Sequence, residues 1–169
     1  MLASAKDGHC ADALVLAEHL GAPVPDLPFT HDGMEPILQS ARTNYQLGVV
    51  YVRCAKPGEA AKKFHLASAA SAPDQLVWAW RAAQKLPGFN EKQWQDRLQT
   101  ALAQAKNRID TSSFSSWWEY IAGALAGALG SQQEADQRFQ KALLLPDRML
   151  SHHFTRIARA GAAAVRGDR

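Results

Sequence analysis

Residues 47–67 read LGVVYVRCAKPGEAAKKFHLA. Small and bulky residues recur in this stretch at helical spacing, and a Pro-Gly pair interrupts it in the middle. Gly48 comes before this break and Ala60 follows it, and both have bulky neighbours nearby. Two helices approach closely only where small residues meet and larger side chains fill the space beside the contact. The stretch therefore predicts a helical hairpin in which Gly48 faces Ala60 and Phe64 fills the space beyond them.

Almost every other segment shows the apolar period of a helix. The stretch PVPDLPFTHDG at 23–33, with three prolines, predicts one long irregular connection. VVYV at 49–52 is the one strand-like stretch, and the helical period around it overrides that signal. We predict an all-α protein with about eight helices joined by short turns. The predicted helices cover residues 11–20, 36–54, 59–70, 75–85, 91–109, 120–129, 134–144 and 149–164.

Two of the predicted helix starts carry cap signals. Asn90 stands three residues before Gln93, and Ser116 stands three residues before Glu119. In a capping box, the first residue of such a pair accepts a hydrogen bond from a backbone N–H in the first helical turn. We therefore expect Asn90 and Ser116 to cap their helices.

The hairpin around residue 48 resembles the tetratricopeptide repeat, a helical hairpin of about 34 residues with the pattern W-x2-L-G-x2-Y, A-x3-F, Ala and Pro. Asn44 stands where the family has Trp, and Pro73 lies one place late. The positions that match the family pattern are Leu47, Gly48, Tyr51, Ala60, Phe64 and Ala67.

A second stretch, AGALAGALGSQQEADQRFQKALLLPD at 122–147, is similar to the same repeat. Ala126 replaces the Tyr of the pattern. Phe64 and the corresponding Phe139 are 75 residues apart, whereas two repeats would span about 68. The resemblance therefore implies a divergent repeat between them, at 74–110. The matching positions in the second stretch are Gly123, Gly130, Ala135, Phe139 and Ala142.

The resemblance implies a right-handed superhelical stack of about three such hairpins with flanking helices, because one repeat cannot bury its own apolar face. We expect a single domain over 1–169. Its repeats would cover about 41–73, 74–110 and 116–149, and a C-terminal capping helix would follow at 149–164.

In this family the concave groove of the stack commonly binds a peptide or a partner helix, so the resemblance implies a protein- or peptide-binding scaffold without catalysis. Self-association through the groove and an inert groove wall are the alternatives. The subtype that grips a C-terminal carboxylate uses Lys, Asn and Arg, which are absent from the matching positions here. The groove positions are Arg42, Tyr45, Val49, Val52 and Arg53 in the first hairpin and Trp117, Tyr120 and Ala124 in the last, with Leu76, Ala79 and Ala83 of the middle repeat as weaker candidates. Arginine beside aromatic residues suits an extended or acidic peptide.

No motif for catalysis, a cofactor or a metal is present. The pair His152 and His153 lies on a predicted helix, where adjacent side chains point about 100° apart and cannot easily share one metal ion. We expect the five tryptophans to pack between helices. A different function also fits the chain, which begins almost inside a helical pattern. It could be a helical accessory region of a larger enzyme, for instance one acting on carbohydrate.

The composition excludes several classes of partner. The formal net charge is +3 and Lys and Arg occur in no run of five or more, so no nucleic-acid partner is expected. No apolar run reaches the length of about 18–20 residues that spans a bilayer, and Lys6 and Asp7 interrupt any secretion signal. We therefore expect no membrane partner and a cytoplasmic location. A bridge between Cys10 and Cys54 is conceivable, but we expect both cysteines to be reduced.

Overall fold

The computed structural model describes the backbone of residues 1–21 and 40–167 and the side chains of residues 1–20 and 40–160. Within these ranges the chain forms nine helices and no strand, which confirms the all-α prediction. The predicted connection at 23–33 and the predicted helix start near residue 36 lie outside the described residues. The helices are α1 Leu2–Lys6, α2 Cys10–Gly21, α3 Ala41–Arg53, α4 Pro57–Ser68, α5 Leu76–Ala83, α6 Glu91–Thr111, α7 Ser115–Ala128, α8 Gln132–Leu144 and α9 Ser151–Gly167.

The turn between α3 and α4 follows from its residues. After α3, Ala55 adopts a left-handed backbone with φ of 54°, and the N–H of Lys56 donates to the carbonyl of Tyr51 at 2.8 Å. This hydrogen bond satisfies a carbonyl that the helix end would otherwise leave unpaired. Pro57 then opens α4, where its missing N–H costs nothing. The stretch 49–52 lies inside α3, as the helical period predicts.

One of the two predicted caps is confirmed. The N–H of Gln93 donates to Oδ1 of Asn90 at 3.0 Å at the start of α6. The second prediction is wrong: α7 begins at Ser115, one residue before the expected cap, and Phe114 takes the cap position without a side-chain hydrogen bond. Both members of the expected capping box are instead buried inside α7. Their polar groups pair with residues of other helices, which the sequence spacing cannot indicate.

The helices form two compact units, which are described separately. Unit 1 comprises Met1–Ser71 and Trp78–Phe89. On one side of α3, the residues Leu47 and Val50 pack against α1 and α2, and on the other side Phe64 of α4 lies at the centre of a second cluster. Alanines form most of both clusters, which lets the helices lie close together.

Unit 2 comprises Ala72–Val77 and Asn90–Arg169. In it α7 contacts α6, α8 and α9, and α9 also contacts α8. The helix α7 is buried on most sides, with Ile121, Ala122, Leu125 and Ala126 at 3% exposure or less. The core of unit 2 is therefore built around α7.

Each unit contains one hairpin in which a phenylalanine ring covers a glycine. A Cβ atom on Gly48 would lie 2.5 Å from Cε1 of Phe64, and one on Gly123 would lie 2.7 Å from Cδ1 of Phe139. The same Cβ on Gly123 would lie 3.2 Å from the carbonyl oxygen of Ala135, so α7 and α8 approach each other closely at these two residues. In the first hairpin the nearest neighbours of Gly48 are ring atoms of Phe64. In both hairpins the glycine therefore makes room for an aromatic ring.

The two cysteines form a disulfide, so the expectation that both are reduced is wrong. Cys10 opens α2 and Cys54 follows α3 directly, and their Cα atoms are 5.4 Å apart. They are 44 residues apart in sequence, so only the packing of α2 against α3 brings them together. Disulfides are rare in cytosolic proteins, and the bridge therefore argues against the expected cytoplasmic location. No helix in the described ranges is both long and apolar enough to cross a bilayer.

Candidate functional site

The five groove residues predicted for the first hairpin lie on α3 in unit 1. Tyr45 is half-buried, and its ring centroid lies 5.9 Å from that of Phe64 and 5.6 Å from that of Trp78. Val49 packs partly against the same cluster. Val52, in contrast, is 56% exposed although it is aliphatic. On this face of α3, Tyr45 is therefore packed against other aromatic rings, whereas Val52 and the neighbouring Arg53 are exposed to solvent.

Two arginines lie over the ring of Trp78 at one edge of this face. The guanidinium carbon of Arg42 is 5.6 Å from the ring centroid, and that of Arg81 is 5.0 Å from it. Both distances suit cation–π attraction. Sequence reasoning identified Arg42 but missed Arg81, which is one turn beyond Trp78 on α5. The spacing of Trp78 and Arg81 was the available signal, since side chains three residues apart on a helix are neighbours.

The two groove residues predicted in the last hairpin lie on α7 in unit 2, and they are packed more tightly. Tyr120 is only 9% exposed, and its ring centroid lies 6.4 Å from Phe139 and 5.9 Å from Phe154. Trp117 is half-buried and lies 5.2 Å from Tyr120 and 5.8 Å from Phe154. Phe154 belongs to α9, so this helix packs on the face of α7 that carries both groove residues. Of the two, Trp117 is the more accessible to a ligand.

The two units share this aromatic arrangement. The two tyrosines, Tyr45 and Tyr120, are 75 residues apart, and so are the two phenylalanines, Phe64 and Phe139. In each unit the tyrosine ring contacts the phenylalanine of its own hairpin and an aromatic residue of a third helix. The residue three places before the tyrosine differs. It is Arg42 in unit 1 and Trp117 in unit 2. Unit 1 therefore presents a cationic edge where unit 2 presents an aromatic one.

Four charged groups of unit 2 form a network across three helices. The buried carboxylate of Glu119 on α7 accepts a hydrogen bond from Nη1 of Arg138 on α8 at 3.0 Å. Nζ of Lys106 on α6 lies 2.6 Å from Oε1 of Glu134, which is 3.7 Å from Nε of Arg138. The hydrogen bond from Lys106 lowers the pKa of the Glu134 carboxyl. Because Glu119 is almost closed to solvent and paired with Arg138, we assign this network to packing of the hairpin.

A smaller hydrogen-bond chain fixes the start of α9. Oγ of Ser151 lies 3.0 Å from Oγ of Ser116 and 3.0 Å from Oδ1 of Asp147. The N–H of His152 donates to the same Asp147 oxygen at 3.1 Å, and this hydrogen bond lowers the pKa of Asp147. Both serines are at most 1% exposed, so a substrate cannot reach either hydroxyl. The chain positions α9 and provides no accessible nucleophile.

The histidine and carboxylate residues form no metal centre in the described part of the chain, where no three His, Cys, Asp or Glu side chains are grouped suitably. Nε2 of His152 lies 2.8 Å from the carbonyl oxygen of Leu145. The ring of His153 lies 5.5 Å from that of Phe154. Each histidine of the pair therefore has a separate neighbour.

Comparison with models of known protein families, with curated proteins and with solved structures found no match. The tetratricopeptide resemblance therefore stays a prediction from the residues themselves.

Proposed function

We propose that the chain is a tetratricopeptide-like helical scaffold that binds a protein or peptide and has no catalytic activity of its own. The binding surface is the face of α3 that carries Arg42, Tyr45, Val49, Val52 and Arg53. In this proposal the hairpins belong to a right-handed superhelical stack.

One observation supports the proposal: this face of α3 combines packed aromatic residues with an exposed apolar side chain. The ring centroids of Tyr45 and Trp78 lie 5.6 Å apart, so this aromatic contact is formed without any ligand. Val52 is 56% exposed on the same helix. Preformed aromatic surfaces with adjacent apolar contacts are typical of peptide-binding sites, because little conformational freedom is lost on binding.

The test is selection of a random peptide library displayed on phage against the full chain, with the selected peptides then measured by isothermal titration calorimetry. We expect a set of related peptides to be enriched. Val52→Glu should abolish most of their binding, because it places a charge in the apolar contact. Failure to enrich any related peptides would contradict the proposal.

The chain offers a matched control for this substitution. Leu66 on α4 is 59% exposed, close to the 56% of Val52, and it lies on the other helix of the same hairpin. Leu66→Glu should leave peptide binding unchanged. Equal loss of binding in both variants would place the site elsewhere than on α3.

A further inference from the structure

We propose that the turn between α8 and α9 docks on the surface of a lipid bilayer that carries anionic headgroups. In this contact the side chains of Leu144, Met149 and Leu150 enter the apolar layer, and the basic residues around them bind the headgroups. This inference goes beyond the proposed function and does not depend on peptide binding by α3. It departs from the expectation of no membrane partner, which concerned segments that span a bilayer rather than contacts with its surface.

Two large apolar residues occupy the centre of a tight turn at the start of α9. The N–H of Ser151 donates to the carbonyl of Arg148 at 3.0 Å, and φ is 54° at Met149 and 61° at Leu150. Positive φ at both central residues is characteristic of type I′ turns, which strongly favour Gly, Asn and Asp. Other residues strain the backbone in this region, because their Cβ atoms crowd the following carbonyl oxygen. The turn therefore holds two side chains that its backbone disfavours.

The strained turn also exposes its apolar side chains. Met149 is 57% exposed and Leu150 is 63% exposed, and Leu144, the last residue of α8, is 86% exposed. Nε2 of His152 lies 2.8 Å from the carbonyl oxygen of Leu145, so the start of α9 lies beside the end of α8. All three apolar side chains therefore belong to one end of unit 2. Backbone strain and apolar exposure at one place are typical of a binding surface.

The charges around this turn are almost all positive. Residues 141–160 contain four Arg and Lys residues and one acidic residue, Asp147. The carboxylate of Asp147 accepts a hydrogen bond from the N–H of His152 at 3.1 Å. This hydrogen bond and, to a smaller extent, the charge of Arg156 lower the pKa of Asp147, so Arg156 lies near the turn. The basic residues, all exposed to solvent, are Lys141, Arg148, Arg156 and Arg159. This end of unit 2 therefore attracts an anionic partner.

The combination of apolar and basic side chains favours a bilayer over another protein. Surfaces that bind anionic lipids present apolar residues to the acyl boundary and Arg or Lys to the headgroups. A protein partner must offer a closely fitting surface for the same side chains, whereas a fluid bilayer adapts to them. A symmetric contact between two copies of this chain would place the same basic residues near each other, which is unfavourable.

The experiment is flotation of the full chain with lipid vesicles in a density gradient. We expect binding to vesicles of phosphatidylglycerol mixed with phosphatidylcholine and much weaker binding to phosphatidylcholine alone. Met149→Asn with Leu150→Gly should raise the Kd for the mixed vesicles by about tenfold or more, because the inserted side chains are lost. These residues suit the turn, so the variant should be at least as stable as the wild type. The matched apolar control is Val15→Gln with Leu16→Gln, at positions 53% and 47% exposed on α2, and its Kd should be unchanged.

A second pair of variants tests the basic residues. Arg148→Gln with Arg156→Gln should raise the Kd for the mixed vesicles by about tenfold or more, because each basic residue near an anionic surface adds to the attraction. Lys85→Gln with Lys92→Gln removes the same charge from exposed positions outside residues 141–160. This control should leave the Kd nearly unchanged.

Four results would overturn the proposal, once circular dichroism has established that each variant is folded. Absence of binding to the mixed vesicles, or equal binding to phosphatidylcholine alone, would exclude an anionic bilayer as the partner. Equal weakening in a variant and its control would show that the contact does not lie at this turn. An unchanged Kd in the Met149 and Leu150 variant would exclude insertion of these side chains. Equal affinity for soluble poly-L-glutamate would assign the surface to an acidic protein instead. Selection of peptides by α3 is a separate measurement, so its failure would contradict only the proposed function.

Discussion

At the residue scale, the packing of each hairpin depends on a glycine, which lacks the Cβ atom that every other residue carries. Gly48 and Gly123 have no Cβ, and the ring of a phenylalanine sixteen residues later in the chain takes up that space. Glycine in a helix interior lowers stability by about 1 kcal/mol relative to alanine. We expect the contact with the ring to stabilise the hairpin by more than this cost.

Alanine at either of these glycines should destabilise the protein. A new Cβ would lie 2.5 Å from Phe64 for Gly48→Ala and 2.7 Å from Phe139 for Gly123→Ala. Both rings are at most 4% exposed and cannot move away freely, so we expect a loss of about 1–3 kcal/mol in the free energy of unfolding. Chemical denaturation followed by circular dichroism measures it.

Gly127 is the matched control, because it lies on the same helix as Gly123. A Cβ there would lie 3.6 Å from that of Ala135, an ordinary contact. Gly127→Ala should raise the free energy of unfolding by about 0.5–1 kcal/mol through helix propensity. A stabilising effect of Gly48→Ala comparable to that of Gly127→Ala would show that the ring does not limit the approach of the helices.

At the element scale, the disulfide ties two helices that are far apart in sequence. Cys10 and Cys54 enclose α2, the segment before α3, and α3 itself. A cross-link over a loop of this length strongly reduces the number of conformations open to the unfolded chain. It changes the folded chain little, because the helices already place the two cysteines together. The bridge therefore stabilises unit 1, which contains both cysteines, mainly by lowering the entropy of its unfolded state.

Reduction of this disulfide should lower the free energy of unfolding by about 2–4 kcal/mol. The measurement is urea denaturation with and without dithiothreitol. The double variant Cys10→Ala with Cys54→Ala should unfold at the same urea concentration under both conditions. If dithiothreitol shifts the wild type and this variant equally, the effect does not come from the bridge.

At the scale of the whole molecule, stability depends on carboxylates that are held ionised in the folded state. The hydrogen bond from Lys106 lowers the pKa of Glu134, and the N–H of His152 lowers that of Asp147. Such groups bind protons more weakly in the folded chain than in the unfolded one. Their contribution is complete above the ordinary carboxyl pKa and is lost as the pH falls through the folded-state pKa.

The free energy of unfolding should therefore decrease as the pH is lowered from about 5 to about 3. Glu134→Gln removes one of the two groups, so its decrease over this range should be smaller than that of the wild type. Asp110→Asn, at an exposed position of α6, should retain the wild-type dependence. Urea denaturation at a series of pH values measures all three, and identical profiles for Glu134→Gln and the wild type would contradict the assignment.

Much of the fold is readable from local patterns. Apolar period, the cap at Asn90 and the Pro-Gly turn each depend on residues within a few positions of one another, so they predict helices and hairpins without knowledge of the tertiary contacts. The candidate surface on α3 follows from the resemblance to the tetratricopeptide repeat, and its role in binding stays a prediction. Ser116 shows the limit of such patterns, since its spacing indicates a cap although its hydroxyl is buried against α9.

Local spacing therefore determined that this chain is all-α and where its hairpins lie. Tertiary packing decided the remaining features, because each joins residues that are distant in sequence. It pairs Cys10 with Cys54 and brings Arg42 of α3 and Arg81 of α5 onto one tryptophan ring. It also buries Tyr120 beneath a phenylalanine of α9. Such contacts depend on which helix faces meet and on how their side chains fill the space, and neither is encoded in the period of a single helix.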